Sequence, residues 1–138
     1  MIALMFTVVV ALVLLAQAQV ATWRDSRTLF TPALRVAGPS VVAHNNLALA
    51  LEEEGMFAAA ASHYRDALTI EPNDAKAHNN LGGALAALGR NAEAIDSYER
   101  AAAIDPTYPE PHYNIGLLLA GEGRNAEAAE RYRRALEL

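Results

Sequence analysis

The strongest constraint on the fold of this 138-residue chain is a repeat of its own sequence at an offset of 34 residues, beginning at Val41. The register holds through the same residue types in each copy: His44, His78 and His112; Gly55, Gly89 and Gly123; Ala60, Ala94 and Ala128; Tyr64, Tyr98 and Tyr132; Ala67, Ala101 and Ala135. A period of this length is typical of stacked units that cannot bury their apolar surface alone. The predicted units are residues 41–74, 75–108 and 109–138, and the third stops before the proline that ends the other two.

Each unit is predicted to form two antiparallel helices joined by a turn. In the second unit the first helix is expected over residues 75–88, and Gly89 ends it because glycine adopts the left-handed conformation without a steric penalty. The second helix is expected to start near residue 92 and to close before Asp105-Pro106, since proline cannot continue the helical hydrogen bonds. Small residues let the two backbones approach and a tyrosine fills the remaining volume: Gly82, Ala94, Ala101 and Tyr98.

At these positions the chain resembles the tetratricopeptide repeat family, whose signature is matched in the second unit by Leu81, Gly82, Leu85, Gly89, Ala94, Tyr98, Ala101 and Pro106. The other two units follow the same pattern. Histidine stands where the family often has tryptophan, and Ala48 replaces a first-helix glycine. The resemblance implies an all-α fold, an α-solenoid of helix-turn-helix repeats whose first helices line the concave side.

Asparagines on the first helices are the candidate peptide-binding residues. They form one column, Asn46, Asn80 and Asn114, beside a second column of Asn45, Asn79 and Tyr113, with Lys76 as a further candidate. An amide offers both a donor and an acceptor, so a regular ladder of amides can pair with the backbone of an extended peptide. The arrangement resembles the asparagine ladder of eukaryotic O-linked N-acetylglucosamine transferases. The alternative is that these amides bond to neighbouring helices or cap local backbone.

The first 23 residues differ in composition from the repeats. Residues 2–23 carry no charge, and as a helix these 22 residues are about 33 Å long, enough to cross a bilayer core of about 30 Å. Trp23 then occupies an interfacial position. We favour a transmembrane helix over residues 1–23. The alternatives are a cleaved signal peptide, which Ala16-Gln17-Ala18 suggests but the lack of an earlier Lys or Arg disfavours, and a buried helix of a soluble domain.

Residues 24–40 are predicted to be a linker with a degenerate half-repeat that Pro32 interrupts. With the start of the first unit, this stretch resembles the junction in bacterial membrane proteins where a glycosyltransferase-like region passes into tetratricopeptide repeats; the animal transmembrane O-mannosyltransferases are related. The resemblance implies that the repeats lie outside the cytoplasm. Three Arg and one Asp after Trp23 favour the opposite topology by the positive-inside rule. Because that bias is small, we favour the periplasmic side.

Composition and missing motifs exclude several function classes. The chain has no Cys, and its 11 basic against 16 acidic side chains argue against a nucleic-acid partner. Residues 41–138 carry eight basic and fifteen acidic side chains, which favours a neutral or basic protein partner. No catalytic motif or cofactor-binding loop is present, so we expect neither enzyme activity nor a cofactor. Histidines of successive units lie about 10 Å apart, too far to share a metal ion, and no HExxH pair or other close carboxylate–histidine cluster supports a site, so no metal site is expected.

The sequence therefore predicts a membrane-anchored, non-catalytic module that binds an extended peptide or a partner protein on its concave face. The alternative function is the C-terminal, substrate-presenting part of a membrane glycosyltransferase, of the O-mannosyl or O-linked N-acetylglucosaminyl type, whose active site lies upstream. No catalytic residue carries over from that resemblance, because the catalytic loops of such enzymes have no counterpart in this chain.

Overall fold

The computed structural model describes residues 40–138, which contain six α-helices and no strand. In chain order the helices are α1 Val41–Glu53, α2 Phe57–Ile70, α3 Ala75–Ala87, α4 Asn91–Ile104, α5 Pro109–Gly121 and α6 Asn125–Glu137. They form three helix pairs, and within a pair the two helices pack on each other. The predicted all-α solenoid is confirmed for this part of the chain.

A glycine follows the first helix of every pair, and its backbone is left-handed as predicted: φ is 75°, 74° and 76° at Gly55, Gly89 and Gly123. In the second pair the amide of Gly89 donates to the carbonyl of Ala86 at 2.9 Å, and the amide of Arg90 donates to the carbonyl of Leu85 at 3.0 Å. These two bonds satisfy carbonyls that the end of the helix leaves open. The same two bonds recur in the other pairs, so all three turns have one geometry.

Glycine and tyrosine bring the two helices of a pair together. A Cβ atom added at Gly82 would lie 2.6 Å from the ring of Tyr98, and one added at Gly116 would lie 2.6 Å from the ring of Tyr132. The tyrosine ring therefore occupies the space that a side chain at the glycine would need. Apolar side chains of all three pairs then form one continuous core: Leu47, Leu51, Leu81, Leu85, Ile115 and Leu119.

Successive pairs stack through the second helix of one pair and the first helix of the next, so that α2 packs on α3 and α4 packs on α5. The first helices α3 and α5 also contact each other directly. The first helices of these two pairs therefore lie next to each other in the stack. At one junction Asp74 caps α3, where its Oδ1 accepts from the amide of Ala77 at 3.0 Å.

Two predicted segments lie outside the described residues: the transmembrane helix over residues 1–23 and, except for Ser40, the linker over residues 24–40. Among the six helices of residues 40–138, none has both the length and the apolar character that a membrane span requires. The stretch that resembles a glycosyltransferase junction falls mainly before residue 40, and only its last part belongs to α1.

Candidate functional site

One surface of the stack is formed by side chains of the three first helices. We call it the first-helix face and define it by three sets of residues: Val42, Asn45, Asn46 and Leu49 on α1; Lys76, Asn79, Asn80 and Gly83 on α3; Glu110, Tyr113, Asn114 and Leu117 on α5. All seven residues that the sequence predicted to bind peptide lie on it. Lys76 is exposed, in the column of Val42 and Glu110.

The first-helix face exposes four large apolar side chains: Val42 at 68%, Tyr113 at 51%, Leu117 at 48% and Leu49 at 45%. Leu49 and Leu117 share a column in which Gly83 leaves a gap, since a Cβ atom at Gly83 would meet only the Tyr98 hydroxyl, at 3.9 Å. The ring of Tyr113 packs against that of Tyr132, with centroids 5.7 Å apart. Apolar side chains grouped on one surface commonly mark a protein-binding site.

The asparagines of the first-helix face fall into two groups. Asn114 donates through Nδ2 to Oδ1 of Asn79 at 3.1 Å, which links α5 to α3. Asn45 donates through Nδ2 to Oδ2 of Asp74 at 3.4 Å, and its own Oδ1 is buried without a partner. Asn46 and Asn80 are half-buried, and their side chains make no hydrogen bond with other described residues. Part of the predicted ladder therefore connects units to one another, and two of its amides remain open to a ligand.

A carboxylate and a phenol pair between the helices of the first unit. The hydroxyl of Tyr64 donates to Oε2 of Glu52 at 3.0 Å. Burial raises the pKa of Glu52 above its usual value, and the bond from Tyr64 offsets part of this rise. Burial, together with the charge of Glu52, raises the pKa of Tyr64 well above its ordinary range. The columns of the other units hold Ala86 and Ala120, so only the first unit has this pair.

The histidines of the second and third units are not paired with a second histidine in the described part of the chain. His78 is 7% exposed, and its Nε2 donates to the carbonyl of Pro72 at 3.0 Å, which leaves Nδ1 buried without a partner. His112 also has a buried Nδ1 without a partner. Burial lowers the pKa of His112, and the charges of Arg131 and Arg134 lower it further. Both imidazoles therefore keep one buried ring nitrogen without a partner.

The histidine of the first unit belongs to a cluster instead. The Nδ1 atoms of His44 on α1 and His63 on α2 are 3.2 Å apart. Oδ2 of Asp66, also on α2, lies 3.8 Å from the first of these nitrogens and 3.6 Å from the second. The sequence argument found no close carboxylate–histidine cluster, so it missed the grouping of His63 and Asp66 with His44. The signal that could have found it is the helix pairing itself, which brings the columns of His44 and His63 face to face.

A cavity of about 390 Å³ opens between α2, α3 and α4. Its wall carries two basic side chains, Arg65 and Arg100, and two acidic ones, Glu93 and Asp96, so its charges balance. His78 and apolar side chains complete the lining. None of the residues that line it belongs to the first-helix face, and the sequence did not predict it.

Comparison with protein families agrees with the helical geometry. Three family models described as tetratricopeptide repeat match residues 41–74, 63–96 and 109–138, and a fourth, described as TPR repeat, matches residues 82–123. Together they cover all of residues 41–138. The predicted family resemblance of the repeats is confirmed, whereas none of these matches tests the predicted link to glycosyltransferases.

Among solved structures, the chain is similar to MamA. A crystal structure of MamA matches with a TM-score of 0.76 at 25% identity, covering 81% of this chain and 65% of MamA. A second crystal structure of MamA gives 0.75 at 25% identity, with 81% and 61% covered. A MamA fragment from Desulfovibrio magneticus RS-1 gives 0.78 at 21% identity, with 90% and 70% covered, which supports the fold alone. The chain thus spans slightly less than two thirds of the first MamA chain. A search of curated proteins found no match.

Proposed function

Because this chain is a tetratricopeptide-repeat protein over residues 41–138, we propose that it is a non-enzymatic interaction module whose first-helix face binds an extended segment of a partner protein. The observation that carries the proposal is the exposure of Val42, Leu49, Tyr113 and Leu117 on one side of the stack. Removing such apolar surface from water is the main favourable term in most protein association. A docked segment would cover these side chains.

The open amides supply the polar part of the proposed contact. Asn46 and Asn80 lie on the first-helix face, and their side chains have no hydrogen-bond partner among the described residues. An extended segment carries an unpaired backbone N–H and C=O at nearly every residue, and an asparagine amide can bond to both. The amides would therefore align the bound backbone, while the exposed Leu49 and Leu117 would contact its side chains.

Charge indicates the chemistry of the partner. Residues 41–138 carry seven more acidic than basic side chains. A field of this sign slows the approach of acidic partners and favours neutral or basic ones. We therefore propose a partner segment that is apolar at alternate positions and neutral or basic between them.

The test begins with a library of random 12-residue peptides displayed on phage and selected on the 138-residue chain. One enriched peptide is synthesised with a fluorescent label, and its affinity is measured by anisotropy. We expect Leu49→Asp with Leu117→Asp to weaken binding about tenfold or more, since losing a central apolar contact commonly costs about 2 kcal/mol. Leu136→Asp, at a residue of α6 that is 89% exposed, is the matched control. Equal affinity of the double variant and the control would refute the proposal.

The amide contribution is tested separately with Asn80→Ala. We expect this substitution to weaken peptide binding and to leave thermal stability nearly unchanged, because Asn80 bonds to none of the described residues. Asn114→Ala also removes the bond to Asn79. A loss of affinity in that variant would therefore combine the loss of a peptide contact with a loss of stability. If the affinity of Asn80→Ala equals that of the wild type, the asparagine side chains do not take part in peptide binding.

For residues 2–23 we propose a membrane anchor that holds the repeats outside the cytoplasm. The support is the uncharged run followed by Trp23. The expected result is retention in the membrane fraction after alkaline carbonate washing, with protease added outside the membrane able to reach the repeats. Release of a protein shortened by about 18 residues would show cleavage of a signal peptide instead.

The link to a membrane glycosyltransferase stays a prediction from the junction resemblance. A reading frame that continues upstream of Met1 into further apolar spans would support it. A stop codon and a ribosome-binding site directly before Met1 would contradict it.

A further inference from the structure

The first unit brings together three side chains with donor atoms suited to a transition metal. These are His44 on α1 and, one helical turn apart on α2, His63 and Asp66. Within residues 40–138 no other group of three histidine or carboxylate side chains has its donor atoms this close together. We propose that the three residues bind one divalent transition-metal ion of the Zn²⁺ class, which ties α1 to α2.

The distances fit a single ion. The point equidistant from the two Nδ1 atoms and Oδ2 of Asp66 lies about 2.1 Å from each, as follows from a triangle with sides of 3.2, 3.6 and 3.8 Å, and this matches Zn–N and Zn–O bonds of about 2.0–2.2 Å. Two imidazoles and one carboxylate favour Zn²⁺, Co²⁺ or Ni²⁺ over Mg²⁺ and Ca²⁺, which prefer oxygen ligands.

The burial of the three side chains suits the same role. The side chains of His44 and His63 are 14% and 27% exposed, and that of Asp66 is 50% exposed. The nitrogens are thus held inside the helix pair, while water can reach the ion from the Asp66 side and complete its coordination.

The repeat supplies an internal comparison. All three units keep the first histidine, at His44, His78 and His112. In the columns of His63 and Asp66, however, the second unit has Ser97 and Arg100, and the third has Arg131 and Arg134. Ser97 donates to the carbonyl of Glu93 at 3.0 Å, and Arg131 pairs with Glu99 at 2.8 Å. The same helix pair therefore exists with and without the donor set, so the repeat fold does not require the cluster.

The direct test uses the 138-residue chain without a histidine tag. Zn²⁺ is titrated in competition with a chromophoric chelator, and Co²⁺ replaces it as a spectroscopic probe. We expect one equivalent of Zn²⁺ per chain. The Co²⁺ complex should show the strong visible absorption of a four- or five-coordinate ion rather than the weak band of the hydrated ion. No binding of Zn²⁺, or only the hydrated-ion spectrum, would overturn the proposal.

Matched variants locate the site. His63→Gln and Asp66→Asn should each lose the Co²⁺ band, whereas His112→Gln and Asp96→Asn remove the same chemical groups elsewhere and should keep it. One equivalent of Zn²⁺ should raise the melting temperature of the wild type and of His112→Gln but not that of His63→Gln, because an ion bound only by the folded pair stabilises it. Circular dichroism checks the fold, and if His63→Gln unfolds, the half-exposed Asp66→Asn decides. Retention of the band in Asp66→Asn, or its loss in His112→Gln, would overturn the proposal.

Discussion

At the scale of single residues, a buried tyrosine of the second helix limits how large a side chain the facing position of the first helix can hold. In the second unit an added Cβ atom at Gly82 would overlap the ring of Tyr98, which is 4% exposed. In the first unit Ala48 occupies the same column, and Tyr64 is still fully buried. A methyl group is therefore compatible with the fold, but only when the tyrosine shifts to accommodate it.

We predict that Gly82→Ala lowers the free energy of unfolding by about 1–3 kcal/mol, the usual penalty for overpacking a filled core. The control is the adjacent Gly83→Ala, where the added atom meets only the Tyr98 hydroxyl at 3.9 Å. That variant should be stabilised by up to about 1 kcal/mol through the higher helix propensity of alanine. Urea unfolding followed by circular dichroism measures both, and equal effects would contradict the packing argument.

The raised pKa of Glu52 predicts how the stability of the fold depends on pH. Its pKa is raised by burial, so its contribution to stability is fully present below the unfolded pKa, near 4.5, and is lost as pH rises through the higher folded pKa. A glutamine at this position would keep an acceptor for the Tyr64 hydroxyl without the buried charge. We therefore expect Glu52→Gln to be more stable than the wild type at pH 7, and the difference to shrink as pH falls to about 4.

The control for this pH effect is Glu53→Gln, which removes the same charge at the adjacent, exposed position. Subtracting the change in unfolding free energy of Glu53→Gln from that of Glu52→Gln leaves the part that comes from the burial of Glu52. Chemical unfolding at a series of pH values gives both curves. A wild type more stable than Glu52→Gln at pH 7 would show that the carboxylate form is the better partner of Tyr64.

At the scale of helices, neighbouring units are joined by a side-chain bond as well as by the core. Asn114 on α5 donates to Asn79 on α3 at 3.1 Å. The corresponding pair one unit earlier is Asn80 and Asn45, between which no hydrogen bond forms, and Asn45 Oδ1 remains buried without a partner. Two interfaces with the same residue types therefore differ in how they satisfy their amides.

We predict that Asn114→Ala costs about 0.5–1.5 kcal/mol of stability, the usual net value of such a bond. Asn79→Ala should cost a similar amount, and the double variant should cost less than the sum, because both single changes break the same bond. Thermal or urea unfolding of the three variants completes the cycle. If the stability losses of the two single variants add up in the double variant, the bond contributes nothing to stability. The control is Asn80→Ala, since the side chain of Asn80 makes no such bond.

At the scale of the whole molecule, burial is uneven along the stack. Six residues of α3 are buried, since helices pack on it from both neighbouring positions. In α6 only Ala128 is buried, and Leu136 is 89% exposed. Helices at the end of a stack have a neighbour on one side only, so the local free energy of opening should fall from α3 to α6.

Hydrogen exchange measures this gradient. We expect amides of α3 to exchange slowest and amides of α6 to exchange fastest in the 138-residue chain. Measurement at two protein concentrations is the control, because association through the exposed side of α6 would protect it at the higher concentration. Equal protection of α3 and α6 at the lower concentration would contradict the expected gradient.

Much of the fold and part of the site follow from the 34-residue period. The turn at Gly89, the helix over Ala75–Ala87 and the placement of all seven candidate residues on the first helices could be anticipated, because helix propensity, glycine turns and apolar spacing are local properties. The predicted end of that helix was one residue too late, since Leu88 serves as its cap.

Other features depended on the packing of helices against each other. Whether Asn114 meets a ligand or Asn79, whether Glu52 reaches Tyr64, and whether His44 meets His63 are set by distances between side chains on different helices. The repeat specifies which columns oppose one another, but not the ångström-scale shifts that form or break a hydrogen bond. Those shifts come from the volumes of all side chains in the interface, which act together and are not encoded at any one position.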